Sequence, residues 1–450
     1  MQGTPDEQLR HDAAGLLRAE LASVSSADDE LPHSPDGLQA WMEARTLSVH
    51  GQYPAYLADR KAGAPRRFFG NRAHALYVLR NIAPTKLVDG AWLYGLVQHA
   101  RNPKLSDLVR TYVEELGEGD ASKNHVVLYR ELLNRYNLDP LDDLADANYR
   151  QGAIQLALGW NAQEFLPEVI GFNLDYEQLP LHLLITAHEL NELGLDPYYF
   201  TLHVTVDNGD TGHARRACQA VLDMLPRLDD GGEFWLRVRA GSKLASAGAG
   251  TCDAIDAFDI EQEVVRILAH KAPMGSGAHS DYCRVAGKSV NEWLSRPESM
   301  QDFLQVLQQA GWIQRGRPAQ ESRFWGLLQG PRAEMFGVFS SYELQVIYDW
   351  IRADASADGT AYTELAAPRS ETPARTRRAS FRAMQRARPE PSSTCVADML
   401  DPDLSVLRQR LAQADPQART DLLVDMMSPA MHWTPAGLHA TQEFWRERTS

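Results

Sequence analysis

The chain has 450 residues, 44% of them apolar and 23% charged, enough for two or three domains folded over most of its length. Its formal net charge of −15 argues against a general nucleic-acid binder. No apolar run approaches the length needed to span a bilayer, so no membrane partner is expected. The opening MQGTPDEQLRHD lacks a basic segment followed by an apolar one, and a secretory leader is not expected. Cys218, Cys252, Cys283 and Cys395 are far apart and form no CxxC, which fits a reducing cytoplasm and points away from a disulfide framework or a thiolate zinc site.

Residues 1–60 read as helices with polar breaks; LRHDAAGLLRAELASV has helical spacing and SSADDELPHSPDG is a loop by composition. VDGAWLYGLVQHA, from Val88, places Trp92, Leu93, Leu96 and Val97 at helical spacing, with Asp89 at its start, where an N-cap is its plainest role. Leu105, Leu108, Val109, Tyr112, Val113 and Leu116 make a buried helical face that carries Glu115. GEGD interrupts it, and His125 then opens or lies early in a further helix. Residues 144–195 are mostly helix and offer Glu168, Glu177, His182, His188, Glu189 and Glu192; Glu189 and Glu192 suit a polar face. Further helices follow in EFWLRVRAG, AIDAFDIEQEVVRILAHKA and SMQDFLQVLQQAGWI. His270 and His279 bracket a Gly-rich loop, APMGSGA, that matches no phosphate-binding fingerprint.

The most informative stretch is YYFTLHVTVDNGDTGHAR, residues 198–215. On a helix, residues four and seven apart share a face, so His203, Asp207 and Asp210 would line one side. His213 falls roughly 80° off that line at about 100° per residue. Gly209 and Gly212 permit a bulge that would bring it round. An imidazole and a carboxylate on one inward helix face suit an iron site in a helical bundle, although such pairs are more often solvated or satisfy each other.

LVDGAWL at 87–93, EELGEGD followed by His125, FLPEVIGF at 165–172 and FTLHVTVDNGDTGHA at 200–214 together resemble the iron-containing redox enzymes of the heme-oxygenase-like diiron oxidase superfamily. The resemblance covers roughly residues 65–350. It implies an all-α fold, a heme-oxygenase-like helical bundle without heme, with additional N- and C-terminal helices. It further implies one or two Fe(II) ions held by carboxylates and histidines, dioxygen as co-substrate, and an external reductant. Carried over by position, the metal ligands are Glu115, His125, His203 and Asp207. His213 or Asp210 completes the set, and Asp89 stands where relatives often have Glu. The implied activity is a non-heme iron oxidase or oxygenase of a small molecule, such as an amino-acid-derived amine or a fatty acid.

The expected organisation is an N-terminal helical extension (1–60), the metal-binding bundle (61–232), a C-terminal helical part of the same unit (233–353), an Arg/Pro/Ser-rich linker (354–395) and a helical tail (396–450). The partners expected are a small-molecule substrate and an electron donor, with a homodimer left open and no cupin domain after the bundle. The competing reading is a non-catalytic helical ligand-binding or interaction protein. It separates from the first by whether His203 comes within about 10 Å of His125 and Glu115, because metal–ligand bonds are near 2 Å. A cofactorless hydrolase is poorer, since Cys218 has no evident base.

Overall fold

A computed structural model of the chain describes residues 5–138, 141, 143–206, 212–228, 231–329, 333–352 and 401–449. The described residues are overwhelmingly helical. In order they form α1 (Glu7–Val24), α2 (Leu38–Lys61), α3 (Arg72–Asn81), α4 (Ala83–Lys86), α5 (Ser106–Glu115), α6 (His125–Tyr136), α7 (Asp146–Trp160), α8 (Leu166–Tyr176), α9 (Leu181–Glu192), α10 (Tyr198–Val206), α11 (His213–Met224) and α12 (Gly232–Leu244). Beyond these come α13 (Thr251–Asp256), α14 (Ile260–Gly275), a short antiparallel hairpin of β1 (Arg284–Val285) and β2 (Lys288–Ser289), then α15 (Val290–Leu294), α16 (Met300–Gln309), α17 (Arg323–Gln329) and α18 (Ser341–Arg352). The tail contains α19 (Pro402–Gln413), α20 (Pro416–Met426) and α21 (Pro435–Thr449).

Two apolar cores organise these helices. One gathers residues of α3, α6, α9, α10 and α13–α18, including Leu79, Tyr129, Phe200, Ile347 and Trp350. The other gathers residues of α1, α5, α7, α8, α11, α12 and the tail, including Leu17, Trp92, Tyr112, Phe172 and Val221. The polar centre described below draws on elements from both cores, α6 and α10 from the first and α5, α8 and α11 from the second. α5 shows the logic in miniature: Leu108, Val109, Tyr112 and Val113 are buried at the spacing of one helix face, and Glu115 ends the helix on its buried side. α6 begins where the Asn124 side chain accepts the Val127 N–H at 3.0 Å, which makes His125 its first residue.

Three local expectations change. The stretch after Val88 winds as a 3₁₀ helix over Ala91–His99 instead of an α-helix, and Asp89 is not its N-cap. Gly90, at φ +80°, is the reason: a left-handed residue breaks the helix there, and a Cβ on it would crowd the Glu115 Cβ at 3.0 Å. The stretch 198–215 is not one helix with a bulge. α10 ends at Val206 and His213 opens α11 from an extended Gly212 (φ −82°, ψ −167°). Asp207, Gly209 and Asp210 lie outside the described residues. The first half of APMGSGA is not loop, because α14 runs on to Gly275 through Pro273.

Residues 401–449 pack onto the second core. Tyr112 donates its hydroxyl to the Met427 carbonyl at 2.5 Å, Arg130 stacks over the Trp433 ring at 3.8 Å, and the Asn124 amide reaches the His432 ring at 3.2 Å. Gly119, at φ +83°, passes so close to α21 that a Cβ there would meet the Leu438 carbonyl at 2.4 Å. The Arg-rich linker expected at 354–395 lies outside the described residues.

Candidate metal centre

Asp89, Glu115, His125 and His203 converge, all buried, with one ligand atom from each within 4.8 Å of the others. Glu115, Glu177 and His213 form a second such group, and Glu115 belongs to both. The His125 and His203 rings lie 4.1 Å apart between centroids, far inside the separation that would have excluded shared binding. Of the ligands read from the sequence, five are brought together: Asp89, Glu115, His125, His203 and His213. Asp207 lies outside the described residues.

Each side chain arrives from a different element. Asp89 comes from the turn after α4, Glu115 from the last residue of α5 and His125 from the first of α6. His203 projects from α10 and His213 opens α11. Glu177 follows the last residue of α8. The sequence reading named Glu177 among the acids of its segment but did not select it. A usable signal was present: Ile170, Asn173 and Glu177 recur at three and four residues, the spacing of the buried face of α8.

The hydrogen bonds fix how the imidazoles present themselves. His203 Nδ1 lies 2.9 Å from the Tyr199 carbonyl, which can only accept, so that nitrogen carries the proton. Nε2 then faces Asp89 Oδ2 at 3.2 Å. In the neutral ring this sets a bare lone pair against an anionic oxygen, an arrangement that a cation between them resolves. His213 has carboxylates on both sides of its ring. Its Nε2 is 2.9 Å from Glu114 Oε2, a carboxylate also held by Arg110 and Arg216. Its Nδ1 is turned to Glu177 Oε2 at 2.9 Å and to Glu115 Oε1 at 3.2 Å. Tyr199 donates its hydroxyl to Asp89 Oδ2 at 2.8 Å and steadies that carboxylate.

Electrostatics agree with this arrangement. Burial pushes the Glu115 carboxyl up, but the His125 charge beside it wins and brings it down to about 2. Burial pulls the His125 imidazole down, and the Glu115 carboxylate outweighs it and lifts the ring to about 10. Asp89 is pushed up by burial and held well below the usual carboxylate range by Lys86 first, then by His125 and His203. Glu114, against its own burial, is drawn to about 2 by His213, Arg110 and Arg216. The centre is therefore a set of buried anions that need positive charge. His125 Nδ1 is buried 2.5 Å from Glu115 Oε2 without a well-aligned hydrogen bond. Donor atoms crowded in this way are what a pair of ligands to one cation presents, so the residues fit a metal.

Imidazoles and carboxylates in one group suit iron, and the lack of cysteine among them points away from a thiolate zinc site. Residues 76–245 match the family model described as iron-containing redox enzyme, a family of the heme-oxygenase-like fold superfamily. That part of the chain is similar to the iron-containing redox enzymes. Both groups of candidate ligands lie inside the matched residues. None of the curated proteins and none of the solved structures compared with the chain matches it. Family and site together support an oxidoreductase that binds iron. The helical architecture is the one the family has, and among the described residues no helix is long and apolar enough to cross a membrane.

A cavity of about 430 Å³ opens beside the centre. Asp89, Glu115, Glu177 and His203 lie on its wall with Trp92, Ile82 and Leu183. Lys86, His182, Gln151 and Arg45 give the rest of its wall a polar character.

Proposed function

We propose that this protein is a non-heme iron enzyme that uses dioxygen to oxidise a small polar molecule, with two iron positions sharing Glu115. The sharing of Glu115 between two buried groups, each with a histidine whose ring nitrogen is turned to carboxylates, carries this reading. Asp89, Glu115, His125 and His203 would hold one ion. Glu115, Glu177 and His213 would hold the other. Asp207 remains a proposed ligand from the family resemblance. Iron bound there supplies the one-electron chemistry that dioxygen reduction requires, and the electrons come from an external donor.

The chain's own residues do the rest. Tyr199 holds Asp89 through its hydroxyl, and Glu114 fixes the ring of His213 by accepting from Nε2. Trp92, Ile82 and Leu183 wall the cavity beside the ligands and limit the water that reaches them. A cavity of about 430 Å³ with lysine, histidine and glutamine on its wall suits an amine or amino acid better than a long acyl chain, which needs an apolar tunnel.

Iron analysis of protein purified after growth with added Fe(II), combined with dioxygen uptake in the presence of a reductant, tests the proposal. Iron bound in stoichiometric amount together with reductant-dependent uptake supports it. Protein that takes up no iron, and shows no change in its absorption spectrum on mixing Fe(II) and dioxygen, refutes it.

A further inference from the structure

Lys86 ends α4, three residues before Asp89, and its side chain is on the wall of the cavity. Its ammonium sits 5.5 Å from the centre of the Tyr176 ring. Among the described residues no carboxylate oxygen lies within the 4.0 Å of an ion pair. The other cations near this wall differ. Arg45 is held by Glu30 Oε2 at 2.8 Å and Asp175 Oδ1 at 3.2 Å. His182 is kept neutral by its burial and by the Lys86 charge, at about 4. Lys86 is thus a fixed positive charge facing an open volume, in surroundings where an unpaired charge is costly.

The acidic groups that act on Lys86 from a distance are Asp89 and Glu115. Both are candidate ligands, so iron would take up their negative charge. The ammonium would then be left without compensation in the protein that does the chemistry. Burial works to lower its basicity, but Tyr176 and Asp89 more than offset this and keep it charged. Tyr176 is itself held, since Gln155 donates to its hydroxyl oxygen at 3.1 Å. The cation is therefore both charged and placed. One ammonium matches one negative charge. Asp175 and Asp253, acids on the same wall outside the candidate ligands, disfavour a dianion such as a phosphate monoester.

We propose that Lys86 anchors the carboxylate of a small, singly charged substrate in this cavity and so sets which part of that molecule faces the metal centre. The assignment rests on the iron reading of the same cavity. It makes Lys86 a specificity-determining residue, with Tyr176 positioning it.

The test is calorimetric titration of the full-length, iron-loaded protein with pentanoate and with pentanamide, which have the same number of heavy atoms and differ in charge. Wild type should bind pentanoate at least about tenfold more tightly than the amide. Lys86→Met should bring the two to parity, and Lys86→Arg should keep much of the preference, with iron content measured in every sample. Equal binding of acid and amide by wild type overturns the proposal without recourse to any variant. So does a preference that survives in Lys86→Met, which would mean that the carboxylate binds elsewhere, such as on the metal. Should the samples hold no iron while selectivity still depends on Lys86, the iron reading fails and the anchor stands.

Discussion

Glu189 offers the sharpest energetic prediction. Its carboxylate is fully buried on α9 and is wrapped by the segment that leads into α3. Oε1 accepts from the Arg67 N–H at 2.5 Å and the Tyr56 hydroxyl at 2.8 Å; Oε2 accepts from the Phe68 and Phe69 N–H groups at 3.0 and 2.9 Å. One side chain thus joins α2, α9 and the approach to α3. Glu189→Ala removes all four bonds. The Arg67 and Phe68 amides are only partly buried and can regain water, but the Phe69 amide cannot. An orphaned buried donor costs about 1–3 kcal/mol, and a bond to a charged acceptor is worth about 1.5–3 kcal/mol. Allowing for the rehydrated groups, the loss should be about 4 kcal/mol, a large share of the roughly 5–15 kcal/mol of a typical fold. Glu189→Gln keeps the shape, but its amide must face a backbone donor with a donor, and should lose about 2 kcal/mol. Denaturant unfolding followed by circular dichroism reads both values, and amide exchange at residues 67–69 should rise first. An alanine variant within 1 kcal/mol of wild type by that assay, on the scale of a single ordinary hydrogen bond, would refute the reasoning.

Glu177→Gln should lower bound iron from about two ions per chain to about one while the group containing His203 stays loaded; unchanged stoichiometry would remove Glu177 from the site. Asp349, raised to about 6 by its burial, makes stability depend on pH. With the folded value above the usual 3.8 of an aspartate, its contribution is fully present below pH 3.8 and is lost as pH rises through about 6. The gap of about two units is worth about 3 kcal/mol. The stability of Asp349→Asn relative to wild type should therefore climb between pH 4 and 7, and a flat difference would contradict this. Gly119→Val places a Cβ against the Leu438 carbonyl at a left-handed backbone position, so it should loosen α21. Faster exchange across 435–449, with weaker iron retention through the Asn124–His432 contact, is the expected result; wild-type exchange there would count against it.

What the sequence determined was local and periodic. The apolar spacing of α5, the turn residues in GEGD and the helical pattern of the chain announce an all-helical protein, because a helix face repeats every three to four residues whatever lies opposite. The chemistry of the candidate ligands was also legible: Asp89, Glu115, His125, His203 and His213 stand beside apolar faces, where charged groups need a partner. What only the tertiary structure decided is which groups meet. Glu189 suited a polar face and Glu177 was left without a role, yet both are buried, one turned to three backbone amides and the other to His213. His213 reaches the centre as the first residue of its own helix, and no spacing from His203 along one helix could have placed it there. The tail, some three hundred residues beyond Asn124, puts His432 against it. The physical reason is the same in each case. Periodicity tells a side chain which way to face, but the cost of burying a charge is settled only by the partner on a distant element, and that partner appears when the helices pack.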